Sequence, residues 1–136
     1  GCDILDGMIG LLREDAATQG LDNVEGIVMT PNSIDLTDGV ADVVVMAQLH
    51  HELDTPELLL AECKRLLAAD GTVAIIDWKD EENGKSPPVG RRVPEAVMRT
   101  QLTVNGFLNI ESHDLYEFHT VLTVQYNKLL LLTQKV

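Results

Sequence analysis

The segment His50-His51-Glu52, with Asp54 close behind, puts imidazoles and carboxylates side by side. Such groups can hold a metal or move protons. The spacing is not that of a helical H-E-x-x-H zinc site, and neighbouring histidines point apart, so no metal is expected. Cys2 and Cys63 are the only thiols. They are too few and too differently placed for a disulfide framework or a metal cluster. No G-x-G-x-x-G turn appears; the ten glycines are scattered singly. The pair Arg91-Arg92 can take an acidic group of a ligand or pair with surface carboxylates.

These residues need elements to position them, and the stretch from Ala41 to Trp78 supplies the clearest. Ala41 to Ala47 and Gly71 to Trp78 are apolar without alternation and rich in β-branched residues. That pattern predicts parallel strands covered on both faces. Between them Thr55 can cap a helix, Pro56 suits its first turn and Glu57 complements its dipole. Leu59, Cys63, Leu66 and Leu67 form an apolar stripe to about Ala69, and Gly71 stops the helix. Strand, helix and strand of this length form a right-handed crossover, which makes the protein α/β. Upstream, Gly1 to Leu5 reads as a short strand. Asp6 to Gln19 reads as a helix with Met8, Leu11, Leu12 and Ala16 inward, and Val24 to Met29 as another strand. Downstream, Pro94 to Asn105 is a helix with Val97, Met98 and Leu102 inward. Phe107 to Asp114 and Glu117 to Tyr126 are strands forming an antiparallel finish. The polar run from Lys79 to Arg92 is a long loop with almost no apolar anchor, so Asp80 to Gly90 is expected to be mobile.

In order and spacing, Asp38 to Val45, Leu49-His50-His51-Glu52 and Asp70 to Trp78 resemble the class I methyltransferases that use S-adenosylmethionine (SAM). The nearest branch is the quinone-methyltransferase-like group acting on small molecules. The resemblance runs from Asp3 to about Gln125, and Asp77-Trp78-Lys79 with the later Gly84, Pro87-Pro88 and Arg91-Arg92 fit its loop after the fifth strand. It implies a Rossmann-like, mostly parallel sheet with an antiparallel C-terminal hairpin, and a single domain over residues 1–136. The first strand and helix of that fold, with their glycine-rich turn, are missing. It implies SAM as cofactor, with Asp3 on the ribose hydroxyls and Ile4, Thr30, Pro31 and Met46 around it. A carboxylate can accept from both vicinal hydroxyls, as in dinucleotide sites; otherwise Asp3 merely ends a strand or caps a helix. Thr30 departs from the family, which usually has an acid there, and a hydroxyl cannot replace two acceptor oxygens. The resemblance puts His51 and Glu52 near the substrate, with Arg91 as a further substrate contact. His51 would be the general base for an acceptor oxygen or nitrogen that carries a proton; otherwise it is a loop histidine held by a carbonyl.

Composition narrows the partners. The formal charge is −12 and aromatic residues make up 4% of the chain, which argues against nucleic acid and against an anionic membrane surface. No apolar run approaches the roughly 20 residues of a membrane helix, and no secretory pattern opens the chain. The expected setting is a soluble cytoplasmic protein with a small-molecule substrate. A different class of protein also fits: a non-catalytic interaction module on a degenerate methyltransferase scaffold. With the family's first strand missing, two strands would expose unpaired edges, which invites a homodimer. Leu129 to Leu132 is a candidate interface segment.

Overall fold

A computed structural model describes residues 1–85 and 87–126. Leu129 to Leu132 therefore lie outside the described residues. The chain forms two compact units, Gly1–Thr37 and Asp38–Val136, each described by itself.

In the first unit, β1 (Cys2–Asp3) pairs in parallel with β2 (Ile27–Val28), and α1 (Asp6–Thr18) connects them. Ile27 N–H donates to Gly1 O and Met29 N–H to Asp3 O. Both strands are shorter than the sequence pattern suggests. Only Ile9 and Ala16 of α1 are buried, while Met8 and Leu11, expected to face inward, are exposed. Two strands of two residues offer a helix little apolar surface, so a narrow stripe is all it buries. Arg13 is tied in by donating to Gly26 O.

The second unit is a four-stranded sheet in the order β3 (Ala41–Ala47), β4 (Leu67–Trp78), β6 (His119–Gln125), β5 (Leu108–His113). β3 and β4 run parallel, and the remaining pairs are antiparallel, so the expected C-terminal hairpin is present. Two helices, α2 (Pro56–Leu66) and α3 (Glu95–Val104), pack on the sheet and against each other. Leu59, Leu60, Cys63 and Leu66 of α2 are buried, as are Met98 and Leu102 of α3. Each such apolar side chain contributes roughly 1.5–3 kcal/mol by leaving water. Val97 is exposed rather than inward.

Two expectations are corrected here. The helix ends at Leu66, and Gly71 lies within β4 instead of stopping it. Leu67 is extended and already pairs with Ala41 across an irregular register. Gly71 is required for close approach, because a Cβ there would sit 3.0 Å from Ala41 O and 3.2 Å from Ala68 O. The second correction concerns β3, which is not covered on both faces: Val43 and Val45 are 58% and 59% exposed. β3 is the sheet's edge, and the helices cover the face that carries Met46, Val73 and Ile75.

Cys63 is enclosed in that core, its Sγ 3.9 Å from Met46 Sδ. Burial and the neighbouring Glu62 carboxylate push its thiol up to about 12, whereas Cys2 is exposed. Because the thiolate is the reactive form, titration with a thiol reagent at pH 8 should modify Cys2 rapidly in the native protein. Cys63 should react only after unfolding in guanidinium; equal rates for both would contradict this packing.

Candidate functional site

The second unit brings a group of ionisable residues together where β3 and β4 end. In open α/β sheets the carboxyl ends of parallel strands are where ligands bind. β3 runs out at Ala47. Gln48 then takes a left-handed conformation with φ 51°, which lets its N–H donate to Ile76 O at 2.7 Å. A short helical turn, His50–Glu52, follows.

The two histidines diverge into different surroundings. His50 is buried, with Nε2 2.7 Å from Gln101 Oε1 on α3. Since that oxygen only accepts, Nε2 carries the proton, and His50 ties the turn to α3. His51 turns to the end of β4 instead. Its Nδ1 lies 2.7 Å from Asp77 Oδ1, and its backbone N–H donates to Asp77 Oδ2 at 2.8 Å. Asp77 is 1% exposed and also accepts from Trp78 N–H at 2.8 Å. A buried carboxylate is costly unless it is paired and hydrogen-bonded; here three donors supply the compensation. The arrangement puts the Nδ1 proton toward Asp77 and leaves Nε2 as the atom able to exchange a proton. Nε2 lies 3.1 Å from Glu52 Oε1, and Glu52 Oε2 lies 3.5 Å from Arg91. The structure thus brings His51, Glu52 and Arg91 together.

Residues 79–92 cross this region. Arg92, 4% exposed, donates to Pro87 O (2.6 Å), Lys79 O (3.1 Å), Lys85 O (2.6 Å), Asn83 Oδ1 (3.0 Å) and Glu81 O. Its guanidinium also lies 5.6 Å from the Trp78 ring centroid. In place of an apolar anchor, the loop has a cation that binds its own carbonyls. Arg92 is therefore committed to the loop, and Arg91 is the one turned outward. On the other face of β4, Trp78 packs on His119 with ring centroids 4.3 Å apart. Gln48 Nε2 donates to His119 Nε2 at 3.2 Å.

The remaining anticipated residues lie in or near the first unit, with one exception. Asp3 ends β1, and its Oδ1 accepts from Leu5 N–H at 2.8 Å. That is the local strand-end role, yet a carboxylate has further acceptor sites, and Oδ2 has no hydrogen bond among the described residues. Ile4 is exposed. Thr30 and Ser33 close a small turn around Pro31. Thr30 N–H and Oγ1–H both donate to Ser33 O, at 3.0 and 3.3 Å. The exception is Met46 in the second unit, whose side chain is buried against Cys63, so only its backbone can meet a ligand.

Sequence reasoning did not single out Asp77, Gln48, Trp78 and His119 as site residues. For Asp77 a signal existed: a lone acid closing an apolar strand, Val73-Ala74-Ile75-Ile76-Asp77. For His119 there was none, because its position depends on strand pairing with Trp78.

Comparison with known proteins defines the class. A family profile described as "Methyltransferase domain" matches residues 1–75, over half of the chain, and the chain belongs to that family. Among solved structures it is similar to a SAM-dependent methyltransferase from Aquifex aeolicus. Identity is 30% and the TM-score 0.86, with 91% of this chain and 66% of that one covered. A proposed type 11 methyltransferase from Sulfolobus solfataricus shares 25% identity with a TM-score of 0.73, over 93% of this chain and 69% of that one. A proposed O-methyltransferase from Nostoc punctiforme, at 22% identity and a TM-score of 0.74, shares the fold over 92% of this chain and 43% of that one. The chain thus spans just under two thirds of the first of these and less than half of the third. No curated protein matches it.

The Asp77 bonds give a direct expectation. Asp77→Asn replaces charge-assisted acceptors by one neutral oxygen and one donor facing N–H groups. Such bonds contribute about 1.5–3 kcal/mol each at most. Chemical denaturation should show a loss of about 2–3 kcal/mol, and His51 ring resonances should move. An unchanged midpoint with unmoved resonances would mean that the pair does not form in solution.

Proposed function

We propose that this protein is a SAM-dependent methyltransferase that passes a methyl group to the oxygen or nitrogen of a small-molecule acceptor. The observation that carries the reading is the His51–Asp77 pair at the carboxyl ends of β3 and β4, in a chain of the methyltransferase domain family. SAM supplies, when bound, a methyl group already activated on a positive sulfur. Asp3 would hold its ribose hydroxyls through the oxygen that the Leu5 amide leaves unused, with Ile4, Thr30 and Pro31 around it. His51 Nε2 would take the proton that the acceptor loses. Asp77 is the positioning residue that holds the ring and its Nδ1 proton. General-base assistance of this kind contributes about 10²–10⁴-fold. Orientation of the reactants supplies the larger share, up to roughly 7–11 kcal/mol.

A second reading has one specific observation in its favour. The Thr30 hydroxyl, standing where the family usually has an acid, spends its proton on Ser33 O. On that reading the chain is a non-catalytic interaction module that retains the scaffold. A titration separates the two. S-adenosylhomocysteine at tenfold excess over Kd should stabilise the protein by about 1.4 kcal/mol, and Asp3→Ala should abolish the rise in melting temperature. No rise at millimolar ligand would favour the interaction module.

The same proposal includes a homodimer. Its support is the open edge of β3, where Val43 and Val45 are exposed, since uncovered apolar edges invite pairing with another chain. Light scattering after size exclusion should return twice the 14.9 kDa chain mass; a monomer at micromolar concentration would overturn the dimer.

A further inference from the structure

Glu52 lies against both His51 and Arg91. One of its oxygens is 3.1 Å from His51 Nε2 and the other 3.5 Å from the Arg91 guanidinium. Its side chain is 52% exposed, whereas that of His51 is 5% exposed. The Glu52–Arg91 pair is exposed on both sides, and such pairs contribute little, so a ligand can displace it. Arg91 adds an independent observation. Its side chain is 64% exposed, and Glu52 is its sole side-chain partner among the described residues, at 3.5 Å. This holds in a chain of net charge −12, where carboxylates are abundant. The neighbouring Arg92, by contrast, is buried and saturated with acceptors, which fastens the end of the loop that presents Arg91.

We infer that Glu52 is a placeholder for the acceptor, and that the acceptor is a small hydroxy or amino carboxylate. Its anionic group takes over Arg91, and its neighbouring O–H or N–H takes over His51 Nε2. The spacing follows from the placeholder: a single carboxylate lies against both His51 Nε2 and the Arg91 guanidinium, so the acceptor's two groups must be adjacent substituents. Arg favours such a carboxylate because its planar donors match both oxygens. The proton of the O–H or N–H passes to Nε2 when the acceptor atom gains its methyl group. Glu52, once displaced, lies in solvent, where it costs nothing to leave unpaired. This assignment rests on the methyltransferase reading for its chemistry, but its binding test does not require methyl transfer.

The test uses the whole chain with 2-hydroxybenzoate and 2-hydroxypropanoate as probes, each beside its uncharged amide. Binding is followed through the ring nitrogen resonances of His51, assigned by comparison with His51→Asn. The carboxylates should shift those resonances, and the amides should bind at least about tenfold more weakly. Arg91→Leu should remove that preference, and Glu52→Gln, which weakens the competing group, should tighten carboxylate binding several-fold. Equal binding of acid and amide overturns the inference. So does a preference that survives Arg91→Leu, weaker binding in Glu52→Gln, or no shift at His51 with either carboxylate. If S-adenosylhomocysteine stabilises the protein while these probes leave His51 unmoved, the acceptor assignment fails and the methyltransferase reading stands. Probe binding without stabilisation by S-adenosylhomocysteine gives the reverse.

Discussion

A carboxylate sealed in the end of a strand sets the terms for everything around it. Asp77 is almost wholly out of water, on the helix-covered face of β4, and removing a charge from water is expensive unless donors replace the solvent. The donors come from three places: the His51 ring, the His51 backbone and the Trp78 backbone. Meeting that demand forces the turn after β3 against the end of β4. It also orients one imidazole, and it fixes which of the ring's nitrogens is available for chemistry. His50, one position earlier in the chain, does not share that orientation, and its Nε2 bonds to Gln101 on α3. One buried anion thus gives two adjacent histidines opposite assignments.

A similar principle, with the sign reversed, shapes the long loop. Arg92 is a buried cation with no carboxylate partner among the described residues. Its compensation comes from carbonyl oxygens of the loop itself and from the face of Trp78. A guanidinium has five donors in a rigid fork, enough to gather a segment that has no hydrophobic reason to fold. The segment then ends with Arg91 facing outward beside Glu52. A pair of arginines that look interchangeable in the sequence is divided into a buried fastener and an exposed residue beside Glu52.

The family relationship and the geometry answer different questions. Membership in the methyltransferase domain family, matched over residues 1–75, accounts for the crossover β3–α2–β4, while the antiparallel finish of β6 and β5 lies beyond that match. It does not choose an acceptor; the residues proposed to face one stand on the turn after β3 and on the loop after β4. Strain at Gln48, an L residue at φ 51°, belongs to this region. Such strain persists where surrounding bonds over-determine the backbone, and here the bond to Ile76 O does so.

Periodicity alone was enough for the α/β class, the crossover and the C-terminal strand pair, because β-branched runs and a helical stripe are local properties of neighbouring residues. Helix and strand ends were less legible. Gly71 has the look of a helix stop, yet it is required by contact with Ala41, a residue thirty positions away in the chain. The same holds for burial: Leu11 and Val97 are apolar residues on helices, but whether they are covered depends on how much sheet lies beneath them. His51, Glu52 and Arg91 were recognisable by type, and a resemblance suggested their neighbourhood. Their connection was not recognisable, since it runs through Asp77 on another strand and through a loop held by Arg92. The sequence by itself determined which elements form and which ionisable groups are present. Only the tertiary structure decided their partners, because a buried charge selects its compensating donors by distance in space, and the chain brings those donors together only when it is folded.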